Sequence, residues 1–138
     1  MALGDKREHQ LDAERAVLGS LLIDPSIIRE LLAEVQEQDF LHPTNLLVFN
    51  AARTLFRSGD PVDAIVIRDR IGEQYTDYLV QLMEITPTSV NWDFYARMMH
   101  EQAVVKRCRY LAERLSLAAT LDECRPAAAQ LQQPLADG

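Results

Sequence analysis

The stretch from Asn91 to Ala119 constrains the fold more than any other. Its apolar residues fall on two helical stripes. Phe94, Met98, Val105, Cys108, Ala112, Leu115 and Ala119 follow a seven-residue rhythm interrupted at Glu101. Trp92, Ala96, Met99, Ala103, Tyr110 and Leu117 form the second stripe, interrupted by Lys106 and Arg114. A helix this long, apolar on two sides, cannot bury both against a head of short helices in a chain of 138 residues. It is predicted to leave the globule and to pack in part on another chain.

The preceding segments read as those short helices. One is predicted from Asp12 to about Ile23, with Asp12 as its cap. It buries Ala16, Val17, Ser20 and Leu21 on one side and Leu18 and Leu22 on the other, which makes it the central helix. Gly19 sits in its middle at a cost of about 1 kcal/mol relative to alanine. Flanked by Ala16 and Ser20, it is predicted to admit a neighbouring backbone. Asp24-Pro25 reads as a cap and first position for a second helix through about Val35. Phe40 is predicted to plug the core. A third helix starts near Pro43, with His42 at its start, and stops at Ser58-Gly59. Asp63 is predicted to cap a fourth over Ile65 to Ile71, ended by Gly72. Its "AIVI" run has strand character alone, yet no partner strand occurs elsewhere. Thr76 or Asp77 opens a fifth, ended by Pro87. Past Thr120 the pattern weakens, leaving one short helix started by Pro126 and stopped by Pro134.

The predicted fold is therefore all-α, a compact bundle of about five short helices followed by a long helix that begins a helical hairpin. Residues 1–10 are expected to be a flexible N-terminus and 11–88 the helical head. Residues 89–133 are expected to be the long helix with a short second hairpin helix, and 134–138 a tail.

Chemistry is sparse. No GxxxxGK[ST] loop, GxGxxG fingerprint, HExxH spacing or GxSxG elbow occurs. His9, His42 and His100 fall on separate elements, and Glu30, Glu34 and Glu37 read as a solvated face. No catalytic residue, cofactor or metal is expected. Cys108 and Cys124 lack CxxC spacing, so they read as reduced thiols in a cytoplasmic protein. No apolar run reaches the ~20 residues of a membrane span. The formal charge of −7 argues against strong direct nucleic-acid binding. Lys106, Arg107, Arg109 and Arg114 form the one positive patch, read first as a solvated helix face and otherwise as a contact for nucleic acid or a partner.

Four stretches carry a resemblance to a known family. "LDAERAVLGSLLIDP", "DFLHPTNLLVF", "SGDPVDAIVI" and "YLVQLMEITPTSVNWDFYARMM" stand in order over residues 11 to about 117. Together they resemble the N-terminal domain of replicative DNA helicases of the DnaB type. The resemblance implies a helical head and hairpin, with hairpins pairing so that subunits form a collar of dimers in a hexamer. It implies a docking surface for the C-terminal helical domain of primase, and it puts nucleotide hydrolysis in a separate domain. On that basis Val105, Cys108, Tyr110 and Leu115 are candidates for the subunit contact. Tyr78, Arg109 and Leu115 are candidates for the primase surface. Leu41 stands where the family usually has an aromatic, Asn45 where it often has histidine, and Arg109 where it is usually apolar. A stand-alone modulator of host replication, of phage or mobile-element origin and using the same surfaces, is the alternative role.

Overall fold

The computed structural model describes the backbone of residues 2–136 and the side-chain surroundings of residues 10–133. Seven α-helices and no strand occur among the described residues. They are α1 (Ala2–Ile23), α2 (Ile28–Glu34), α3 (Pro43–Arg57), α4 (Ala64–Ile71), α5 (Thr76–Glu84), α6 (Trp92–Leu117) and α7 (Leu121–Ala136). Single 3-10 turns over Pro25–Ile27, Glu37–Asp39 and Glu73–Tyr75 lead into or join them.

Helix α1 is the axis of the head. It packs against α3, α5 and α6, with Ala13, Val17, Leu18 and Leu21 buried. Phe49, Ile67, Leu79, Leu82 and Met99 close around it from the other helices. Phe40 does plug this core, its ring 4.8 Å from that of Phe49. Gly19 faces the end of α5. A Cβ there would stand 2.5 Å from the Leu82 carbonyl oxygen and collide with the Thr86 hydroxyl. The Thr86 hydroxyl donates to that same carbonyl at 2.8 Å, so the obstacle is backbone with a side chain tied onto it.

The starts and stops follow local chemistry. The Asp63 carboxylate accepts the Val66 N–H at 2.9 Å and caps α4, the helix that holds the "AIVI" run. Gly72 ends α4 at φ +122°, and Gly59 follows α3 at φ +77°, both conformations that favour glycine. Three expectations need correction. Helix α1 begins at Ala2, ten residues before Asp12, so Asp12 lies within a helix and caps nothing. The segment before it is rich in good helix formers (Ala2, Leu3, Lys6, Arg7, Glu8) and has no proline to stop the helix extending back. Asp24 precedes a 3-10 turn without capping it; its carboxylate accepts the hydroxyls of Ser26 and Ser89 at 2.5 and 3.1 Å. Those bonds tie the loop before α6 to the start of the second helical segment and hold the carboxyl below its usual range.

The third correction concerns the hairpin. Its second helix is not short: α7 runs 16 residues, from Leu121 through Pro126 and Pro134 to Ala136. Thr120 starts it, since its hydroxyl accepts the Glu123 N–H at 3.2 Å while the Glu123 carboxylate accepts the Ala119 N–H at 2.7 Å. These two bonds satisfy an N–H in the first turn of α7 and the Ala119 N–H just before the helix. Pro126 then removes one hydrogen bond near the start of α7 and Pro134 one near its end, without breaking the helix.

Candidate interaction surface

Two polar clusters fix how the hairpin sits on the head. In the first, Glu14 is fully buried on α1. Its carboxylate accepts from Gln10 Nε2 at 2.8 Å, Leu41 N at 3.0 Å, Asn45 Nδ2 at 3.1 Å and His42 N at 3.4 Å. His42 occupies the cap position of α3 yet offers it no side-chain hydrogen bond. Glu14 therefore satisfies the start of α3 from a neighbouring helix, and its negative charge meets the positive end of that helix. Asn45 passes the network on by accepting the Tyr78 hydroxyl. Burial pushes that hydroxyl above its ordinary value, against the pull of the nearby Arg15.

The second cluster joins head to hairpin. Asp39, buried in the turn before α3, accepts the Gln36 N–H at 3.0 Å and lies 2.7 Å from Nδ1 of His100 on α6. Gln10 reaches the Asp39 carbonyl at 3.3 Å, so the two clusters meet. Neither cluster was foreseen. Glu14 did leave a trace, because it lies three, four and seven residues from Val17, Leu18 and Leu21 and so shares their buried face.

Helix α6 changes partners along its length. Trp92, Ala96, Met99 and Ala103 are buried against the head. Leu111 is fully buried beyond the head core, where α6 packs along α7 and Ala127 of α7 is buried in turn. Cys108 and Leu115 flank Leu111 by three and four residues and are half-buried, so they share its side of the helix. Val105 and Tyr110 are exposed, at 41% and 51%. Five residues apart, they project about 140° from one another, so one flat surface cannot take both. Arg109 is exposed, whereas Tyr78 is half-buried with its hydroxyl engaged by Asn45. Val105 thus stands apart from Tyr110, and Tyr78 lies in the head while Arg109 and Leu115 belong to the hairpin. Phe94 is 54% exposed and shares the outward side of α6 with Val105 and Ala112.

Between head and hairpin lies a groove of about 480 Å³. Its head side carries Gln38 and Leu41, and its hairpin side carries Lys106, Arg107, Tyr110, Gln130 and Gln133. Among the described residues, no group of three or more His, Cys, Asp or Glu is placed to hold a metal ion. No helix among them is long and apolar enough to cross a membrane.

An all-α head with an overhanging helical hairpin and exposed apolar side chains defines a class of small helical domains. The chain belongs to the DnaB-like helicase N-terminal domain family, whose model matches residues 6–101. It is 30% identical over 106 residues to the replicative DNA helicase DnaB of Leifsonia xyli, covering 72% of this chain and 23% of that protein. It is 29% identical over 104 residues to the Geobacillus stearothermophilus enzyme, covering 70% of this chain and 23% of that one. The chain thus spans about a quarter of the length of these curated relatives. Among solved structures, the N-terminal domain of DnaB helicase from Mycobacterium tuberculosis superposes with a TM-score of 0.78 at 26% identity. That match covers 89% of this chain and 96% of the other. The N-terminal domain of DnaB from Helicobacter pylori, described together with its interactions with primase, shares the fold with a TM-score of 0.72 at 23% identity. It covers 84% of this chain and 95% of that one.

Proposed function

We propose that this chain is a non-catalytic assembly and protein-interaction domain of a replicative hexameric DNA helicase, acting in DNA replication in the cytoplasm. Its hairpin pairs with that of a second subunit in a collar of dimers and offers a docking surface for the C-terminal helical domain of primase. The observation that carries this reading is the outward side of α6, where Phe94 and Val105 remain exposed although both the head and α7 already pack on this helix. Apolar surface left over after both intramolecular partners are in place is surface for an intermolecular one. The relatives support it: they are replicative helicases, and the Helicobacter pylori domain was described with primase.

Val105 anchors the subunit contact, with Cys108 and Leu115 on the adjoining side of the helix, while Tyr110, projecting about 140° away, falls outside it. The primase surface draws on Tyr78, Arg109 and Leu115. Calorimetric titration of the chain with the C-terminal helical domain of primase from the same organism tests the docking. Saturable heat that weakens in Arg109→Glu is expected. Absence of any heat at high concentration contradicts the docking role and leaves the fold untouched.

A further inference from the structure

The face of α6 that packs on the head does not end where the head ends. Continuing from Met99 and Ala103 along the same side, the next residues are Lys106, Arg107, Tyr110 and Arg114. Four features of this overhang coincide. Lys106, Arg107 and Arg114 are exposed, and no carboxylate of the described residues lies within 4.0 Å of their charged nitrogens. The Tyr110 ring is 51% exposed and lies near two of them, 5.5 Å from the Arg107 guanidinium and 5.8 Å from that of Arg114. The adjoining groove brings the amides of Gln38, Gln130 and Gln133 alongside, with His100 at its edge. The one carboxylate that lines it among the described residues, Asp39, is already engaged by His100 and the Gln36 N–H.

Charge is distributed to match. Residues 1–96 hold eight Lys and Arg against sixteen Asp and Glu, while residues 97–138 hold six against five. The negative net charge that argues against strong nucleic-acid binding therefore belongs to the head. We infer that the overhanging face of α6, with its groove, is a weak contact site for single-stranded nucleic acid. Arg107, Arg114 and Lys106 meet phosphates, Tyr110 stacks on a base, and the glutamine amides meet base edges. Cations that pair with phosphates beside an exposed aromatic are the recurring recipe for single strands, because every base has a face to stack. A guanidinium lying against a ring keeps its N–H groups free for phosphate oxygens. The track ends beyond Arg114, where Asp122 and Glu123 line the next hollow. Tyr110 then serves the strand, and Val105, on another side of α6, serves the subunit contact.

The test is fluorescence anisotropy of a labelled 20-nucleotide oligo-dT titrated with the full chain. Three phosphate contacts give a salt slope of about −2, so binding at 200 mM salt should be roughly twentyfold weaker than at 50 mM. Tyr110→Ala should weaken binding by about fivefold or more while Tyr110→Phe retains it. Arg107→Gln and Arg114→Gln should each flatten the slope by about 0.7, whereas Arg29→Gln on the head should change nothing. Circular dichroism confirms that each variant is folded. Three results overturn the inference: no saturable binding at 50 mM salt, unchanged binding by folded Tyr110→Ala, or displacement of the probe as readily by poly-glutamate as by unlabelled oligo-dT. The last result assigns the face to an acidic protein.

Discussion

Among the described residues no cation pairs with the buried Glu14 carboxylate, and its compensation comes from four hydrogen-bond donors. Removing it leaves the Leu41 and His42 N–H groups and the Asn45 amide with no acceptor at the start of α3. Hydrogen bonds to a charged group contribute about 1.5–3 kcal/mol each, so Glu14→Ala should cost about 3 kcal/mol or more in urea unfolding. A melt indistinguishable from wild type would mean that the network is not formed. Gly19 makes the complementary case, in which an atom is too much rather than too little. Because the obstacle is the Leu82 backbone oxygen, relaxation is costly even for a single methyl. Gly19→Ala should lose about 1–3 kcal/mol despite its better helix propensity, and Gly19→Leu more. Tyr78 adds a pH dependence. Its hydroxyl titrates above the ordinary value of 10.0 in the folded state, chiefly through burial. The folded state then holds a proton that the unfolded state has released. Stability is thus fully present below about pH 10 and falls as pH rises toward the folded value. Tyr78→Phe should flatten that alkaline decline when urea midpoints are compared between pH 9 and 11. The glycine's role was legible from its small neighbours in the sequence. The Glu14 acceptor set was not, because three of its donors lie 27 to 31 residues away and two are backbone groups that no side-chain pattern encodes.

At the scale of elements, reading succeeded where caps and periodicity agreed. The "AIVI" run shows this: β-branched residues suggest a strand, but Asp63 and Gly72 bracket a helix, and helix is what forms. It failed where a proline was given too much weight. Pro126 suggests a start and Pro134 a stop, yet Thr120 and Glu123 three residues apart are the sequence signature that opens α7. The same pair yields an expectation. Thr120→Ala should cost about 1 kcal/mol, and the loss should be local to the hairpin. Hydrogen exchange is the suitable readout: α7 amides should exchange several-fold faster while those of α1 keep their protection. Equal acceleration in both helices would show that hairpin and head unfold as one unit.

For the whole molecule, the governing fact is that α6 runs on past the head core that anchors it. At 1.5 Å per residue its 26 residues span about 39 Å, and only the part from Trp92 to Met99 meets the head core. The sequence showed the surplus as two apolar stripes, but not which side each neighbour would claim. That choice depends on α7, whose full length the sequence reading missed. Once α7 is in place, Cys108 and Leu115 are half taken up within the chain, and Val105 remains the clearest outward anchor. Leu115→Asp would disturb the hairpin as well as any partner, so Val105→Asp is the cleaner probe of assembly. Sedimentation equilibrium of wild type and Val105→Asp across a wide concentration range is therefore the decisive measurement. Wild type should form a concentration-dependent dimer, and the folded variant should shift toward monomer. A wild type that stays monomeric at the highest concentration, or a variant that dimerises equally well, would rule out Val105 as the anchor of a subunit contact.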